Sequence, residues 1–60
     1  MPLVQIELLD GRSTETISRL MREVTDAVAN SLDIPDERVR VIVRDVPRTH
    51  WSVGGTPLAE

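Results

Sequence analysis

The sequence predicts an α+β fold: a single β-α-β unit followed by a short C-terminal hairpin, with residues 1–60 forming one domain. Three observations carry this. Val4, Ile6 and Leu8 alternate with Gln5 and Glu7, the period-two pattern of a half-buried strand. Ile17, Leu20, Met21, Val24, Ala27, Val28 and Leu32 recur at three- and four-residue steps, which makes one apolar stripe of an amphipathic helix. Val39, Val41 and Val43 then alternate with Arg40, Ile42 and Arg44, a second strand.

Taken in order, the first strand runs over Pro2–Leu9 and begins at the terminus itself, until Asp10-Gly11 breaks it. Ser13 is placed as a helix N-cap, and Glu15 sits where the positive end of the helix dipole favours an acid. Ile34-Pro35 stops the helix, because proline biases the preceding residue away from helical angles. Asp36-Glu37-Arg38 reads as a turn and Val39–Asp45 as the second strand, which puts Arg40 in mid-strand on a face shared with Ile42 and Arg44. Strand, helix and strand in one sheet imply a right-handed parallel crossover. The tail from Val46 to Glu60 holds Pro47, Gly54-Gly55 and Pro57, a loop plus a short hairpin.

A chain of 60 residues buries only about 60% of the surface its unfolded form exposes, so it needs disulfides, a metal or partner subunits. Cysteine is absent, and His50 is the one histidine, with no set of acids or imidazoles at ligand spacing. Oligomerisation is the remaining route: two copies would form a four-stranded sheet with two helices, and a closed symmetric assembly would bury the remaining faces. The formal charge of −3 argues against duplex DNA and anionic membranes as partners. No apolar run approaches the roughly 20 residues of a membrane span, and no secretory pattern opens the chain, so a soluble cytoplasmic protein is expected. All seven basic residues are arginine, whose planar fork suits carboxylates, although a GC-rich genome accounts for most of them equally well.

Met1-Pro2, Asp10-Gly11-Arg12-Ser13, Val39-Arg40-Val41-Ile42, and His50-Trp51 ahead of Gly54-Gly55 together resemble the 4-oxalocrotonate tautomerase family over nearly the whole chain. Each piece alone is common; their joint order and spacing is specific. The resemblance implies a cofactor-free 1,3-keto-enol isomerase, assembled as a trimer of dimers. Its substrate would be a small carboxylate such as 2-hydroxymuconate, and its setting aromatic catabolism or a biosynthetic pathway. It implies that Pro2, exposed by removal of Met1, is the general base. It also implies that Arg40 binds the carboxylate and oxygen beside the reacting carbon, that Arg12 binds the distal carboxylate, that Trp51 walls the pocket, and that the Leu9 amide helps place the substrate oxygen. The arginines would come from neighbouring subunits of a homo-oligomer or a hetero-oligomer.

Plainer readings stand beside these. Pro2 can merely start an edge strand, where proline is tolerated. Arg12 can be solvated, although beside a helix start it opposes the dipole, so some other contact should hold it. Trp51, the only aromatic residue, can be a core or interface anchor, and tryptophan in place of the more usual phenylalanine changes pocket size. His50 has no identified partner and is left outside the mechanism. Arg19, Arg22, Arg44 and Arg48 are expected on solvated faces or in intersubunit ion pairs. Two rival functions remain. One is a hydratase or dehalogenase of the same superfamily, disfavoured because Trp51-Ser52-Val53 has no glutamate. The other is a non-catalytic assembly subunit, which a retained Met1 would favour by keeping the Pro2 nitrogen an amide.

Overall fold

The computed structural model describes residues 1–59. β1 (Leu3–Leu9) leads through α1 (Thr14–Leu32) and a 3₁₀ turn (Asp36–Arg38) to β2 (Arg40–Val46). A second 3₁₀ turn (Arg48–His50) precedes the hairpin of β3 (Ser52–Val53) and β4 (Thr56–Pro57). β1 and β2 pair in parallel, with Leu3 opposite Arg40, Val4 opposite Val41, and Ile6 opposite Val43. The expected β-α-β unit and hairpin are both present.

Alternation sorts the two faces of the sheet. Val4, Ile6, Val41 and Val43 are half-buried on one face, while Leu3, Gln5, Glu7, Arg40, Ile42 and Arg44 are exposed on the other. Across the open face the Arg44 guanidinium donates to Glu7 Oε1 at 3.4 Å, an ion pair within the chain where a solvated or intersubunit one was expected.

The helix begins where the cap chemistry requires. Ser13 Oγ accepts the Thr16 N–H at 3.1 Å and its hydroxyl donates to Thr16 Oγ1 at 3.0 Å. Ser13→Ala should therefore lower stability by about 1 kcal/mol, read as a drop in the thermal midpoint with unchanged secondary structure. The end differs from the expectation. Asp33 adopts a left-handed conformation, φ 56° and ψ 52°, and both its N–H and that of Ile34 turn back to the Ala29 carbonyl. Aspartate tolerates that conformation better than most residues, so the helix has already stopped before Pro35 acts. The apolar stripe is also narrower than the sequence pattern: Ala27 and Leu32 are exposed, whereas Ala29, outside the expected set, is buried.

Among the described residues, only Ala29 and Val39, each 9% exposed, are buried. The accessible surface is 4568 Å², against about 3900 Å² for a compact monomer of this mass. The radius of gyration is 14.3 Å, where roughly 10 Å is ordinary for the length. The body measures 43 × 25 × 13 Å, a slab one helix and one sheet thick. Leu3, Ile42, Val53 and Leu58 remain exposed on it.

Candidate active site

A parallel crossover places the starts of both strands at one edge of the sheet, and that edge holds Pro2 and Arg40. The Arg40 N–H donates to the Pro2 carbonyl at 3.0 Å, so the two residues are neighbours across the strand pair. Arg40 is the first residue of β2 and not a mid-strand residue, because its N–H is the first to leave the 3₁₀ turn for the sheet. The carbonyl of Glu37, which a continuing turn would have bonded to that N–H, is taken instead by Arg40 Nη1 at 2.8 Å. The guanidinium is thus held by one nitrogen, with its remaining donors available to an anion.

Arg12 is held in the same way at the opposite edge. Its Nη1 donates to the Leu9 carbonyl at 2.9 Å, which supplies the contact that its unfavourable place beside the helix start demanded. Peptide groups of successive strand residues point to alternate edges. Pro2 and Asp10 bond towards β2, so Leu9 turns its N–H and carbonyl to the outer edge of β1. The carbonyl goes to Arg12, and the Leu9 N–H faces outward. Leu9 itself is half-buried.

A half-open groove of about 230 Å³ lies beside this end of β1. Half-buried Leu8, Ile17 and Leu20 line it with exposed Arg12, Arg19 and Glu23. It does not contain Pro2. Pro2 lies seven positions before Leu9, about 23 Å along the strand at the usual rise. Trp51, half-buried, closes the second 3₁₀ turn beyond the C-terminal end of β2, and its carbonyl accepts the Leu58 N–H at 2.9 Å at the base of the hairpin. Among the described residues no hydrogen bond or ion pair joins Pro2 or Arg40 to Arg12 or Trp51. One chain brings together Pro2 and Arg40, and separately Leu9 and Arg12.

In the full chain Met1 acylates the Pro2 nitrogen, and Met1 is 84% exposed. Sequence reasoning missed two contributors, the carbonyls of Glu37 and Leu9 that tether the arginines, each three residues before the arginine it holds. It also assigned Arg22 only to a solvated face or an intersubunit pair. Arg22 Nε and Nη2 reach Asp26 Oδ1 at 3.1 and 2.7 Å, and Nη2 reaches Asp36 Oδ2 at 3.0 Å. These contacts, that with Asp26 first, hold the guanidinium above its ordinary pKa. The Asp36 carboxyl is held below the usual carboxylate range, first by hydrogen bonding with the Glu37 side chain and then by Arg22. Among the described residues no group of three His, Cys, Asp or Glu side chains is arranged to hold a metal ion. No described helix is long and apolar enough to cross a membrane.

The family model described as tautomerase enzyme matches residues 2–60. A 2-hydroxymuconate tautomerase of Pseudomonas fluorescens is 48% identical over 60 residues, covering 100% of this chain and 95% of the relative. Among solved structures, a heterohexamer 4-oxalocrotonate tautomerase from Chloroflexus aurantiacus superposes with a TM-score of 0.91 at 47% identity, covering 100% of this chain and 97% of that one. A 4-oxalocrotonate tautomerase homologue of the tomaymycin biosynthetic pathway gives a TM-score of 0.91 at 41% identity, covering 97% and 89%. With sequence and fold alike across essentially the whole chain, the protein belongs to the tautomerase enzyme family and is an isomerase.

Proposed function

We propose that this tautomerase ketonises 2-hydroxydienoate acids of the 2-hydroxymuconate type, with the amine of Pro2 as general base after removal of Met1. The observation that supports the reading is the main-chain pairing of Pro2 with Arg40, which sets both residues at one end of the sheet, with the Arg40 guanidinium resting by one nitrogen on the Glu37 carbonyl. Met1 is open to solvent, so the fold does not shield the bond that must be cut. The neutral amine takes the substrate hydroxyl proton. The O–H electrons form the carbonyl, the double bond shifts, and the ammonium of Pro2 returns the proton to carbon, giving the conjugated ketone. Arg40 binds the adjacent carboxylate and the oxygen on which charge develops.

An ordinary α-amino group has a pKa of about 7.7–8.0 and a proline amine starts higher, so the base works at neutral pH only if its ammonium form is disfavoured. A nearby guanidinium and a dry pocket both act in that direction. We assign the pocket wall to Trp51, the distal carboxylate to Arg12 and the placing of the substrate oxygen to the Leu9 N–H. These must come from another protomer, since within one chain Leu9 lies a strand length from Pro2.

Antiparallel pairing of β1 with the β1 of a second copy meets this need. It would make the four-stranded sheet, set Pro2 of one chain against the Leu9–Arg12 end of the other, and cover the groove beside β1. We infer a homo-oligomer of this kind, closed as a trimer of dimers; the Chloroflexus aurantiacus relative is a heterohexamer, so native mass measured on the chain purified alone is the check. The function itself is tested by intact mass to establish loss of Met1, followed by ultraviolet ketonisation kinetics on 2-hydroxymuconate and a monoacid analogue. In the same assay Arg12→Ala should raise KM for the dicarboxylate about tenfold or more and leave the monoacid unaffected. An unchanged preference removes Arg12 from its role.

A further inference from the structure

Arg40 does not hold its own position. Its guanidinium rests on the Glu37 carbonyl, so its placement is that of the 3₁₀ turn Asp36–Arg38. The turn is closed by Arg38 N–H to the Pro35 carbonyl at 3.1 Å and Val39 N–H to the Asp36 carbonyl at 3.0 Å, bonds internal to this segment. Among the described residues, one side-chain hydrogen bond ties it to α1, from Arg22 Nη2 to Asp36 Oδ2 at 3.0 Å. The contact spans 14 residues and joins the middle of the helix to the first residue of the turn.

We propose that Arg22 and Asp36 are positioning residues for Arg40, fixing the turn whose carbonyl holds its guanidinium in place for the substrate. The proposal rests on the assignment of Arg40 to substrate binding. Arg22 suits the task because the intrahelical contact with Asp26 already orders its guanidinium. Two of its nitrogens reach one Asp26 oxygen, and the fork that results presents Nη2 to Asp36 with less rotamer freedom left to lose. Asp36 suits it because it opens the turn, one residue before the carbonyl that Arg40 uses. Hydrogen bonding to Glu37 and Arg22 favours the ionised form of the Asp36 carboxyl, the form that accepts from Arg22. Both side chains are about half exposed, 55% for Arg22 and 47% for Asp36, so the tie is weak and its effect is on alignment and not on whether the chain folds.

The test is a double-mutant cycle on the processed, assembled enzyme, following 2-hydroxymuconate ketonisation. Arg22→Ala and the near-isosteric Asp36→Asn should each lower kcat/KM about two- to fivefold, the scale of an exposed ion pair. Arg22→Lys, which keeps the charge, should recover part of the loss. In an Arg40→Ala background the same substitutions should have no further effect, because the group they align is gone. A loss of equal factor in both backgrounds would reveal a general structural role and overturn the proposal, as would unchanged kinetics in the enzyme that keeps Arg40. Should Arg40→Ala alone leave turnover intact, the assignment of Arg40 fails and the proposal with it; a deficient Arg40→Ala with silent Arg22→Ala and Asp36→Asn refutes the positioning role alone.

Discussion

Pro2→Ala should lower kcat at least about a hundredfold, and a form that retains Met1 should lose the whole contribution of the base, about 10²–10⁴. The two variants separate different requirements. Alanine keeps a terminal amine and the carbonyl that accepts the Arg40 N–H, so the strand pair survives. What it loses is the ring that fixes the nitrogen lone pair relative to the strand. Retained Met1 keeps the ring and converts the nitrogen to an amide, which has no basic lone pair. Intact mass, circular dichroism and ketonisation rates on the same samples check this. In the processed enzyme kcat/KM should rise with pH through the pKa of the amine, and this limb should disappear in the Met1-retaining form. Unchanged turnover in both variants would exclude Pro2 as the base.

Arg40→Ala should reduce kcat by about 10²–10³, the cost of removing a donor aimed at developing negative charge. The loss should exceed that in Arg40→Lys, since lysine restores a point charge but neither the tether to the Glu37 carbonyl in the same geometry nor a two-pronged contact with carboxylate. Comparing kcat with KM locates the effect. A drop confined to KM would mean that Arg40 only binds the ground state, contrary to its assigned role in stabilising charge on the reacting oxygen.

Much of the fold was legible because each element carries a local signal. Val4, Ile6 and Leu8 declare a strand by alternation, and Ser13 declares a helix start by its hydroxyl. Boundaries were less so. Val39 alternates with its followers and looked like strand, yet its N–H closes the preceding turn; hydrogen-bond partners, not side-chain pattern, decided that Arg40 comes first. The helix stop at Asp33 depends on one backbone conformation that no apolar pattern encodes. Ala27 and Ala29 are chemically the same, and only the position of the sheet decides which is covered. The candidate site divides along similar lines. Pro2 and Arg40 became neighbours because one immediately precedes and the other begins a strand of a parallel pair, a closeness already contained in the strand order. Leu9 ends one strand with Arg12 just beyond it, and Trp51 follows the end of the other, so the same topology that joins the first two holds these apart. The tethers from Leu9 and Glu37 could not be read at all, because they use main-chain oxygens whose availability depends on the final bonding of the backbone.

The thin slab leaves this chain in an unusual thermodynamic position. If the apolar surface left on its open sides is covered by other copies, folding and association are one equilibrium, and mass action governs both. A protomer leaving the assembly would then lose part of its stability and the complement of its catalytic groups in the same event. Specific activity should accordingly fall as the enzyme is diluted, in step with the loss of helical signal, and recover on reconcentration. Such a catalyst would measure its own abundance, switched on by its concentration.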